Sequence, residues 1–513
     1  MTVRRASAAA APGVRNVLLI TGDQWRGDTL GVAGHCVQTP NLDRLAAEGA
    51  WFRRHHTVTS PCGPARASLH TGLYLHNHRS VVNGTPLDRR HTNMALEARR
   101  AGYAPTLFGY TDASADPDGL APRDPRLFSY EGVLPGYDVG QLLLEDFKPW
   151  LAQLRRNGYG GLDTPRAAYA PADGRLGGPS RFEAAHSETQ FIADAAIDFL
   201  SMHADRPWFA HVSFLRPHPP WTAPAEYRDR YDATSMPPAR RAQTARDDAS
   251  VHPLAAAIQA NVHVSSFVPG FGGLMRDLDA DAIGALRASY YALMTEVDHH
   301  LGRLLDWLRE AGQLDDTLIV FTADHGEYLG DHHLFGKMGF QPEAFHVPLI
   351  VRDPRLQARR GIVVDAFTES VDVLPTVLDV LGIPCPPACD GASLTPFLRG
   401  EAPPKWRDAV HWELDFRTLL AHADGALGDD PDAAAFVALR DARSLYVHFA
   451  SLAPLLFDLD DDPFCRRNLL GLPDGDARRA RHLAELLSWR LRHEDRRLST
   501  LRVGERGLVS WRD

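Results

Sequence analysis

Short apolar runs, each followed at once by polar residues, form the most regular pattern along the chain. Four of them stand out, at residues 16–20, 106–110, 208–214 and 317–322. Continuous apolar runs of this length are typical of parallel strands that are buried on both faces. Amphipathic stretches at helical spacing separate them, and the longest covers residues 285–308. This alternation predicts an α/β domain built on a large, mostly parallel sheet.

The pattern changes near residue 400. Two short strands at 436–439 and 445–448 and a helix at about 477–491 follow. We therefore expect a large α/β domain over residues 16–400. Residues 401–513 should form a smaller α+β domain with antiparallel strands, a helix and an extended tail.

Both ends of the chain are polar. Residues 1–15 hold arginines and an alanine run that is too short and too weakly apolar for a signal peptide, so we expect a disordered leader. No later segment is apolar for long enough to span a membrane. We expect the tail from Arg497 onwards to pack on a neighbouring subunit or in a groove between domains.

Two long stretches, 113–187 and 224–284, lack a periodic pattern. The first is rich in proline, glycine, aspartate and arginine, and the second is polar and irregular. We interpret both as decorated insertions of the large domain and not as linkers between domains.

Charge and cysteine content narrow the range of partners. The formal net charge of −10 gives no general electrostatic reason to bind nucleic acid. An anionic substrate would therefore need a local positive site. Five cysteines in 513 residues are too few, and odd in number, for a disulfide framework. These features predict a cytoplasmic protein without nucleic-acid or membrane partners.

Lysine is rare in this chain. Of 55 basic residues, only Lys148, Lys337 and Lys405 are lysines. A general bias towards arginine explains the rarity but not the three positions. Lys337 follows the strand at 317–322, and its compact ammonium group suits the oxygens of a tetrahedral anion.

Cys62 has unusual neighbours. It lies between Pro61 and a Gly-Pro pair, so it cannot occupy a regular helix interior, and a helix-compatible run begins just after it. Its sulfur should therefore lie near a helix N-terminus, where backbone N–H groups favour an anion, with Arg66 one turn further on. From these neighbours alone, a nucleophile and a buried structural thiol are equally good interpretations.

Polar residues also follow three of the strands. Asp23 and Gln24 follow the first, and they suit either a metal site or an ordinary turn. His218 lies between prolines after the strand at 208–214, as a loop residue or a general acid. Asp324 and His325 begin a run of three acids and three histidines, too dense for a simple solvated turn.

The motif Cys-x-Pro-x-Arg, followed by Ala-Ser-Leu-x-Thr-Gly, resembles the formylglycine signature of the sulfatase family in the alkaline phosphatase superfamily. The longer run from Pro61 to Arg79 is most similar to the branch of phosphonate monoester hydrolases and phosphodiesterases. The resemblance extends from about Asn16 to the tail. It implies a large mixed, mostly parallel sheet sandwiched by helices, a homo-oligomer (tetramer or dimer), and a formylglycine-generating enzyme as partner.

The same resemblance implies a single divalent metal ion. Its ligands would be Asp23, Gln24, Asp324 and His325, together with an oxygen of the gem-diol formed after Cys62 is oxidised to an aldehyde. Oxygen-rich ligation with one histidine favours Mn²⁺, with Ca²⁺ and Zn²⁺ as alternatives. The gem-diol would be the nucleophile, and the covalent ester would break by C–O cleavage that regenerates the aldehyde.

The resemblance also assigns roles around the substrate. Arg66 would stabilise the ionised diol, and His218 would protonate the departing alcohol. Lys337 and Asn83 would bind the non-bridging oxygens, although the sequence around Asn83 by itself indicates only a turn.

Three consecutive residues complete the expected pocket: the last residue of the strand at 106–110 and the two that follow it. Tyr110 and Thr111 line the substrate pocket in the resembling branch. Asp112 stands where we expect threonine in relatives, and a carboxylate there would disfavour a dianionic substrate.

We therefore expect a metal-dependent hydrolase of phosphonate monoesters and phosphodiesters that is promiscuous towards sulfate esters. The alternative is an arylsulfatase-type enzyme with the same apparatus. A catalytically inactive, anion-binding relative is a third interpretation, and the intact set of candidate ligands argues against it.

Overall fold

The computed structural model describes residues 14–356, 359–472, 475–505 and 507–511. The expected leader therefore lies outside the described residues up to position 13. Val14 is buried, and the backbone N–H of Arg15 donates to the carbonyl of Asp316 at 2.8 Å. Val14 and Arg15, which fall within the expected leader, thus contact the rest of the described fold.

One mixed sheet forms the centre of the large domain. Its eight strands are β1 (Asn16–Asp23), β2 (Ala50–His56), β3 (Pro105–Gly109), β4 (Asp138–Leu142), β5 (Phe209–Pro217), β6 (Thr317–Ala323), β7 (Leu349–Arg352) and β8 (Ile362–Glu369). Their order is β4-β3-β5-β1-β6-β7-β2-β8. Only β7 runs antiparallel to its neighbours. The predicted mostly parallel sheet is confirmed.

Helices cover both faces of this sheet. The helices are α1 (Pro40–Glu48), α2 (Cys62–Thr71), α3 (Leu75–His78), α4 (Met94–Arg100), α5 (Lys148–Arg156), α6 (Pro165–Ala168), α7 (Glu188–Met202), α8 (Ala225–Arg228), α9 (Ala245–Ala249), α10 (Pro253–Asn261), α11 (Ala280–Glu310), α12 (Val373–Val380), α13 (Thr395–Leu398) and α14 (Gly475–Arg492). Alternate residues of β1 belong to two cores: Leu18 packs with residues of α7 and α11, and Leu19 with residues of α2, α4 and α12.

Strands β2, β4 and β8 were not predicted. β4 and β8 lie at the edges of the sheet and expose several side chains, and β2 has two exposed arginines at its centre, so none of the three carries a continuous apolar run. β4 lies within the stretch interpreted as a decorated insertion, which therefore contributes to the sheet.

A separate antiparallel sheet lies in the C-terminal region, as predicted. It consists of β9 (Val410–Asp415), β10 (Ala435–Arg440), β11 (Ser444–Phe449) and β12 (Leu455–Asp458), in the order β12-β11-β10-β9. Helix α14 packs on it through Leu486 and Trp489. The tail ends in a short hairpin of β13 (Leu501–Gly504) and β14 (Gly507–Ser510).

Candidate active site

The predicted site residues gather at the carboxyl edge of the main sheet. Asp23 is the last residue of β1, and Asp324 directly follows β6. These strands pair in register, with Gly22 opposite Ala323, so two acids far apart in the chain become neighbours. Open α/β sheets bind their ligands at this kind of strand end.

Cys62 begins helix α2, which confirms its predicted place at a helix N-terminus. Its Sγ atom lies 3.2 Å from Nε2 of His325, 3.0 Å from Nζ of Lys337 and 3.9 Å from Oδ1 of Asp23. The helix dipole adds a positive potential at this position. The residue is therefore part of a polar cluster and not a thiol buried among apolar side chains.

Four buried residues could hold a metal ion. One ligand atom each of Asp23, Cys62, Asp324 and His325 lies within 4.8 Å of the others. The second carboxylate oxygens bind Arg66, whose Nη2 is 3.1 Å from Asp23 Oδ2 and whose Nε is 3.0 Å from Asp324 Oδ2. Two carboxylates and an imidazole around one point are donors that suit Mn²⁺, Ca²⁺ or Zn²⁺. The residues present therefore fit the divalent cation that the sequence predicts.

Gln24 contributes to the same set through a left-handed backbone conformation, with a φ of +64°. Its Oε1 accepts a hydrogen bond from Nζ of Lys337 at 3.0 Å, and its Nε2 donates to Glu327. The buried carboxylate of Glu327 also accepts from the backbone N–H groups of Leu329 and Gly336. Glu327 thus turns the amide oxygen of Gln24 towards the site. This role was not predicted from the sequence, although Glu327 lies in the conspicuous acidic run after β6.

Arg66 joins α2 to residues in or directly after four strands of the sheet, β1, β3, β5 and β6. Besides the two carboxylates, its Nη1 donates to the carbonyl of Tyr110 at 3.0 Å and to Oγ of Ser213 at 2.7 Å. Its guanidinium lies 4.2 Å from the centre of the Tyr110 ring, and the Tyr110 hydroxyl donates to Asp23. Ser213, a polar residue inside an apolar strand, was not predicted. The contacts fix the charge of Arg66 next to Cys62.

Electrostatics keep the Cys62 thiol protonated. Burial and Asp23 raise the pKa of the thiol well above its ordinary value, and Lys337 opposes them only in part. Burial alone would lower the pKa of Lys337, but the neighbouring acids Asp23 and Asp324 raise it and favour the ammonium form. Because the thiolate is the reactive form of cysteine, the unmodified side chain is a poor nucleophile here.

His218 lies on the loop that follows β5. Its Nδ1 lies 2.7 Å from the carbonyl oxygen of Pro219, so this nitrogen donates and Nε2 is left for the reaction. Burial and Lys337 lower the pKa of His218, whereas Asp23 raises it. The histidine therefore lies within the electrostatic range of the cluster around Cys62.

Arg216 is hydrogen-bonded to the backbone of the loop that carries His218. Its Nη1 donates to the carbonyls of His218 and Pro220, at 2.7 and 2.8 Å. Its Nε pairs with Glu188 at the start of α7, and its guanidinium lies 4.5 Å from the centre of the Tyr169 ring. Arg216 is completely buried. It was not assigned a role from the sequence, where it is one arginine among many.

Asn83 and Asp112 flank the start of α2. Oδ1 of Asn83 accepts from the N–H of Gly63 at 2.9 Å, and its Nδ2 group donates to no described residue. A Cβ atom at Gly63 would lie 2.9 Å from the carbonyl oxygen of Asp112, so a larger residue would not fit. Asp112 itself is buried, and burial raises the pKa of its carboxyl to about 7.

Thr111 is engaged with the backbone. Its Oγ1 donates to the carbonyl of Gly132 at 3.0 Å and accepts from the N–H of Leu134 at 2.8 Å. The Thr111 hydroxyl could contact the substrate only if one of these hydrogen bonds broke. The substrate-binding role of Thr111 stays a prediction. The expected catalytic and substrate-binding roles of the other site residues also stay predictions.

Comparisons with known families agree with this geometry. The family model described as Sulfatase matches residues 15–383. A second one, described as N-sulphoglucosamine sulphohydrolase, C-terminal, matches residues 330–487. The first match alone covers more than half of the chain, including every residue of the candidate site.

Individual relatives cover nearly the whole chain. The multifunctional alkaline phosphatase superfamily protein PehA of Trinickia caryophylli is 41% identical over 97% of this chain and 99% of its own length. An arylsulfatase of Clostridium perfringens is 29% identical over 78% of this chain and 82% of its own.

Two solved structures are similar throughout. The phosphonate monoester hydrolase of Agrobacterium radiobacter superposes with a TM-score of 0.94 at 43% identity, over 97% of this chain and 99% of that one. The phosphonate monoester hydrolase of Silicibacter pomeroyi gives 0.91 at 43% identity, over 96% and 99%. The predicted alkaline phosphatase-like fold is confirmed, and the chain belongs to the sulfatase family of ester hydrolases.

Proposed function

We propose that this protein hydrolyses phosphonate monoesters and phosphodiesters. The observation that carries the proposal is the position of Cys62, whose sulfur lies 3.0 Å from Lys337 and 3.2 Å from His325 at a helix N-terminus. Similarity supports the choice of substrate. Identity is 41–43% to PehA and to two phosphonate monoester hydrolases, but 29% to an arylsulfatase.

We further propose that Cys62 is converted to formylglycine by a generating enzyme and that one Mn²⁺ ion is bound. Asp23, Gln24, Asp324 and His325 would hold the ion, with residue 62 as a further ligand. When both groups are present, they supply an oxygen nucleophile of lowered pKa and neutralise charge on the phosphoryl group.

Positive charge around residue 62 comes from two side chains. Arg66 pairs with Asp23 and Asp324 and orients both carboxylates. The ammonium group of Lys337 would bind a non-bridging oxygen of the substrate. The amide Nδ2 of Asn83 would bind another, and both contacts strengthen as charge grows on these oxygens.

The departing alcohol receives its proton from His218. Because its Nδ1–H is donated to the carbonyl of Pro219, the imidazole can transfer a proton only from Nε2, and it acts as the acid in its imidazolium form. Arg216 fixes the loop through the carbonyls of His218 and Pro220 and so limits the directions in which this imidazole points.

The second candidate function is hydrolysis of sulfate esters, which the arylsulfatase relative favours. The same site would then act on a sulfuryl group. To separate the two, kcat/KM should be compared for 4-nitrophenyl phenylphosphonate, bis(4-nitrophenyl) phosphate and 4-nitrophenyl sulfate. We expect the two phosphorus esters to react at least about tenfold more efficiently. A preference for the sulfate ester would reassign the protein as an arylsulfatase.

We also propose a homo-oligomer, a tetramer or a dimer, that forms through the C-terminal tail. The hairpin exposes Val503 and Leu508, and Trp511 next to it is 65% exposed. Light scattering of the full chain and of a form truncated after residue 497 would test this, since only the full chain should assemble. A cytoplasmic location, testable by cell fractionation, would keep Cys62 reduced until it is modified.

A further inference from the structure

Three side chains beside the substrate pocket form a surface that we call the outer wall: Asp112, Tyr130 and Glu145. The hydroxyl of Tyr130 donates to Oε2 of Glu145 at 3.1 Å. Glu145 raises the pKa of both His218 and Asp112, so it lies within electrostatic range of both. The outer wall is therefore acidic and aromatic, and Glu145 connects it electrostatically to His218, the proposed acid for the leaving alcohol.

Local contacts join the outer wall to the substrate pocket. Oγ of Ser114, shortly after β3, donates to the carbonyl of Tyr130 at 3.0 Å. The Cβ atom of Tyr130 lies 3.7 Å from the position that a side chain at Gly84 would take. Gly84 directly follows Asn83, the residue that contacts the start of α2. Tyr130, which is 41% exposed, thus lies next to the segment that carries Asn83.

Asp112 has an unsatisfied oxygen. The residue is only 4% exposed, and its Oδ1 accepts no hydrogen bond from any described residue. A buried acceptor without a partner destabilises the fold, so such atoms are uncommon unless a ligand completes them. The backbone carbonyl oxygen of Asp112 lies next to Gly63, the neighbour of Cys62, so residue 112 is close to the reacting residue.

We propose that the outer wall binds an alkylammonium group on the leaving alcohol of the ester. The carboxylates of Asp112 and Glu145 supply negative potential, and the ring of Tyr130 supplies a face for a cation–π contact. A bound cation would also favour the ionised form of Asp112. This inference rests on the proposed function, because it names the class of ester that the site selects and leaves the bond that breaks unchanged.

Two esters of the same shape and different charge test the subsite. They are the phenylphosphonates of 4-(trimethylammoniomethyl)phenol, which is cationic, and of 4-neopentylphenol, which is neutral. Each kcat/KM is divided by the rate of uncatalysed alkaline hydrolysis, which removes the difference in leaving-group reactivity. We expect the corrected value to be at least about tenfold higher for the cationic ester. A corrected ratio at or below one would overturn the subsite.

Substitutions in the outer wall test whether its carboxylates cause the preference for the cationic ester. Asp112→Asn and Glu145→Gln should each lower the cationic-to-neutral ratio about fivefold or more. Asp146→Asn is the matched control, because it removes the adjacent carboxylate, which pairs with the exposed Lys148 at 2.8 Å outside the outer wall. If Asp112→Asn does not fold, Glu145→Gln on the half-buried rim still gives the comparison. A ratio that Asp112→Asn and Glu145→Gln leave unchanged would contradict the proposal.

The same measurement distinguishes failure of the ammonium subsite from failure of the proposed hydrolase function. Hydrolysis of both esters at equal corrected rates would refute the ammonium subsite and leave the proposed hydrolase function standing. Hydrolysis of neither ester by the metal-loaded, modified protein would refute the hydrolase function and the subsite together.

Discussion

The two sides of the active site are built in different ways. The metal side consists of side chains at the ends of β1 and β6 and at the start of α2, and its charged groups are paired with one another. The leaving-group side consists of the outer wall and the loop of His218, all on loop segments, and it contains a carboxyl oxygen without a partner. A rigid metal side suits bond breaking that is common to all substrates. Changes there should therefore affect every ester alike, whereas changes on the leaving-group side should discriminate between esters.

The largest effect is expected for Cys62→Ser. Serine keeps a hydroxyl but lacks the thiol on which a cysteine-oxidising generating enzyme acts, so kcat should fall about a thousandfold for every ester. Steady-state kinetics on the three 4-nitrophenyl substrates measure this. Intact mass of the peptide around residue 62 should show an aldehyde in the wild type. Cys36→Ser, at an exposed thiol, is the control. Near-normal turnover by Cys62→Ser would contradict the mechanism.

Metal removal should be nearly as severe and equally uniform. Dialysis against a chelator is expected to abolish turnover of all three substrates and to lower Tm, because a ligand that binds only the folded state stabilises it. Elemental analysis before dialysis should find about one Mn²⁺ per chain. Restoration by Mn²⁺ but not by Ca²⁺ would identify the metal. Full activity in a metal-free sample would exclude the proposed role of the Asp23 cluster.

Glu327→Gln tests whether Glu327 strengthens metal binding by orienting Gln24. The carboxylate orients Gln24 and accepts two backbone hydrogen bonds, and outer partners of this kind are worth about 10- to 100-fold in metal affinity. We expect weaker Mn²⁺ binding by titration calorimetry, with activity recovered at high Mn²⁺ concentration. An unchanged Mn²⁺ affinity would show that Gln24 is oriented without Glu327.

Arg216→Lys tests whether Arg216 orients His218 on the leaving-group side. Lysine keeps the charge but not the fork that binds two carbonyls of the loop, so His218 should lose its fixed direction. We expect kcat to fall about tenfold for a methyl phenylphosphonate, whose alcohol needs a proton. The 4-nitrophenyl ester, whose phenolate leaves without one, should change little. Equal losses for both esters would mean that Arg216 supports only the fold.

The metal side could be predicted from the sequence, whereas on the leaving-group side only His218 and Asp112 were predicted, and their roles came from resemblance to the family. Asp23 and Asp324 each follow an apolar run, and the carboxyl ends of parallel strands meet at one edge. Cys62 carries its own local signals in the flanking prolines. Each of these predictions depends on residues close together in the chain, and resemblance to the family supplied the chemistry.

The missed features depend on contacts between distant segments. Glu327 acts through Gln24, and Arg216 through a loop and helix α7, so their partners become visible only in the folded chain. The outer wall brings Asp112 together with residues of the 113–187 stretch, which has no periodic pattern to indicate β4 or its neighbours. Tertiary packing, not local propensity, places these groups.

A last pair of carboxylates lies behind the loop of His218 and should affect stability more than activity. Glu188 pairs with Arg216, and nearby Glu296 is buried with an Oε1 atom that has no described partner. Burial and Glu188 raise the pKa of Glu296 from 4.5 to about 8. The folded protein therefore retains a proton that the unfolded chain loses between these two values.

It follows that Glu296 lowers wild-type stability as the pH rises from about 5 to 8, by at most about 1.4 kcal/mol per pH unit. Glutamine does not titrate, so the Glu296→Gln variant lacks this loss of stability. Its unfolding free energy relative to that of the wild type should therefore rise with pH over this range. Urea unfolding of both proteins at pH 5.5, 6.5 and 7.5 measures the difference, while kcat for the 4-nitrophenyl ester should change little. A difference in unfolding free energy that is constant with pH would mean that Glu296 is ionised beside Arg216, and that the loop of His218 lies on a doubly charged support.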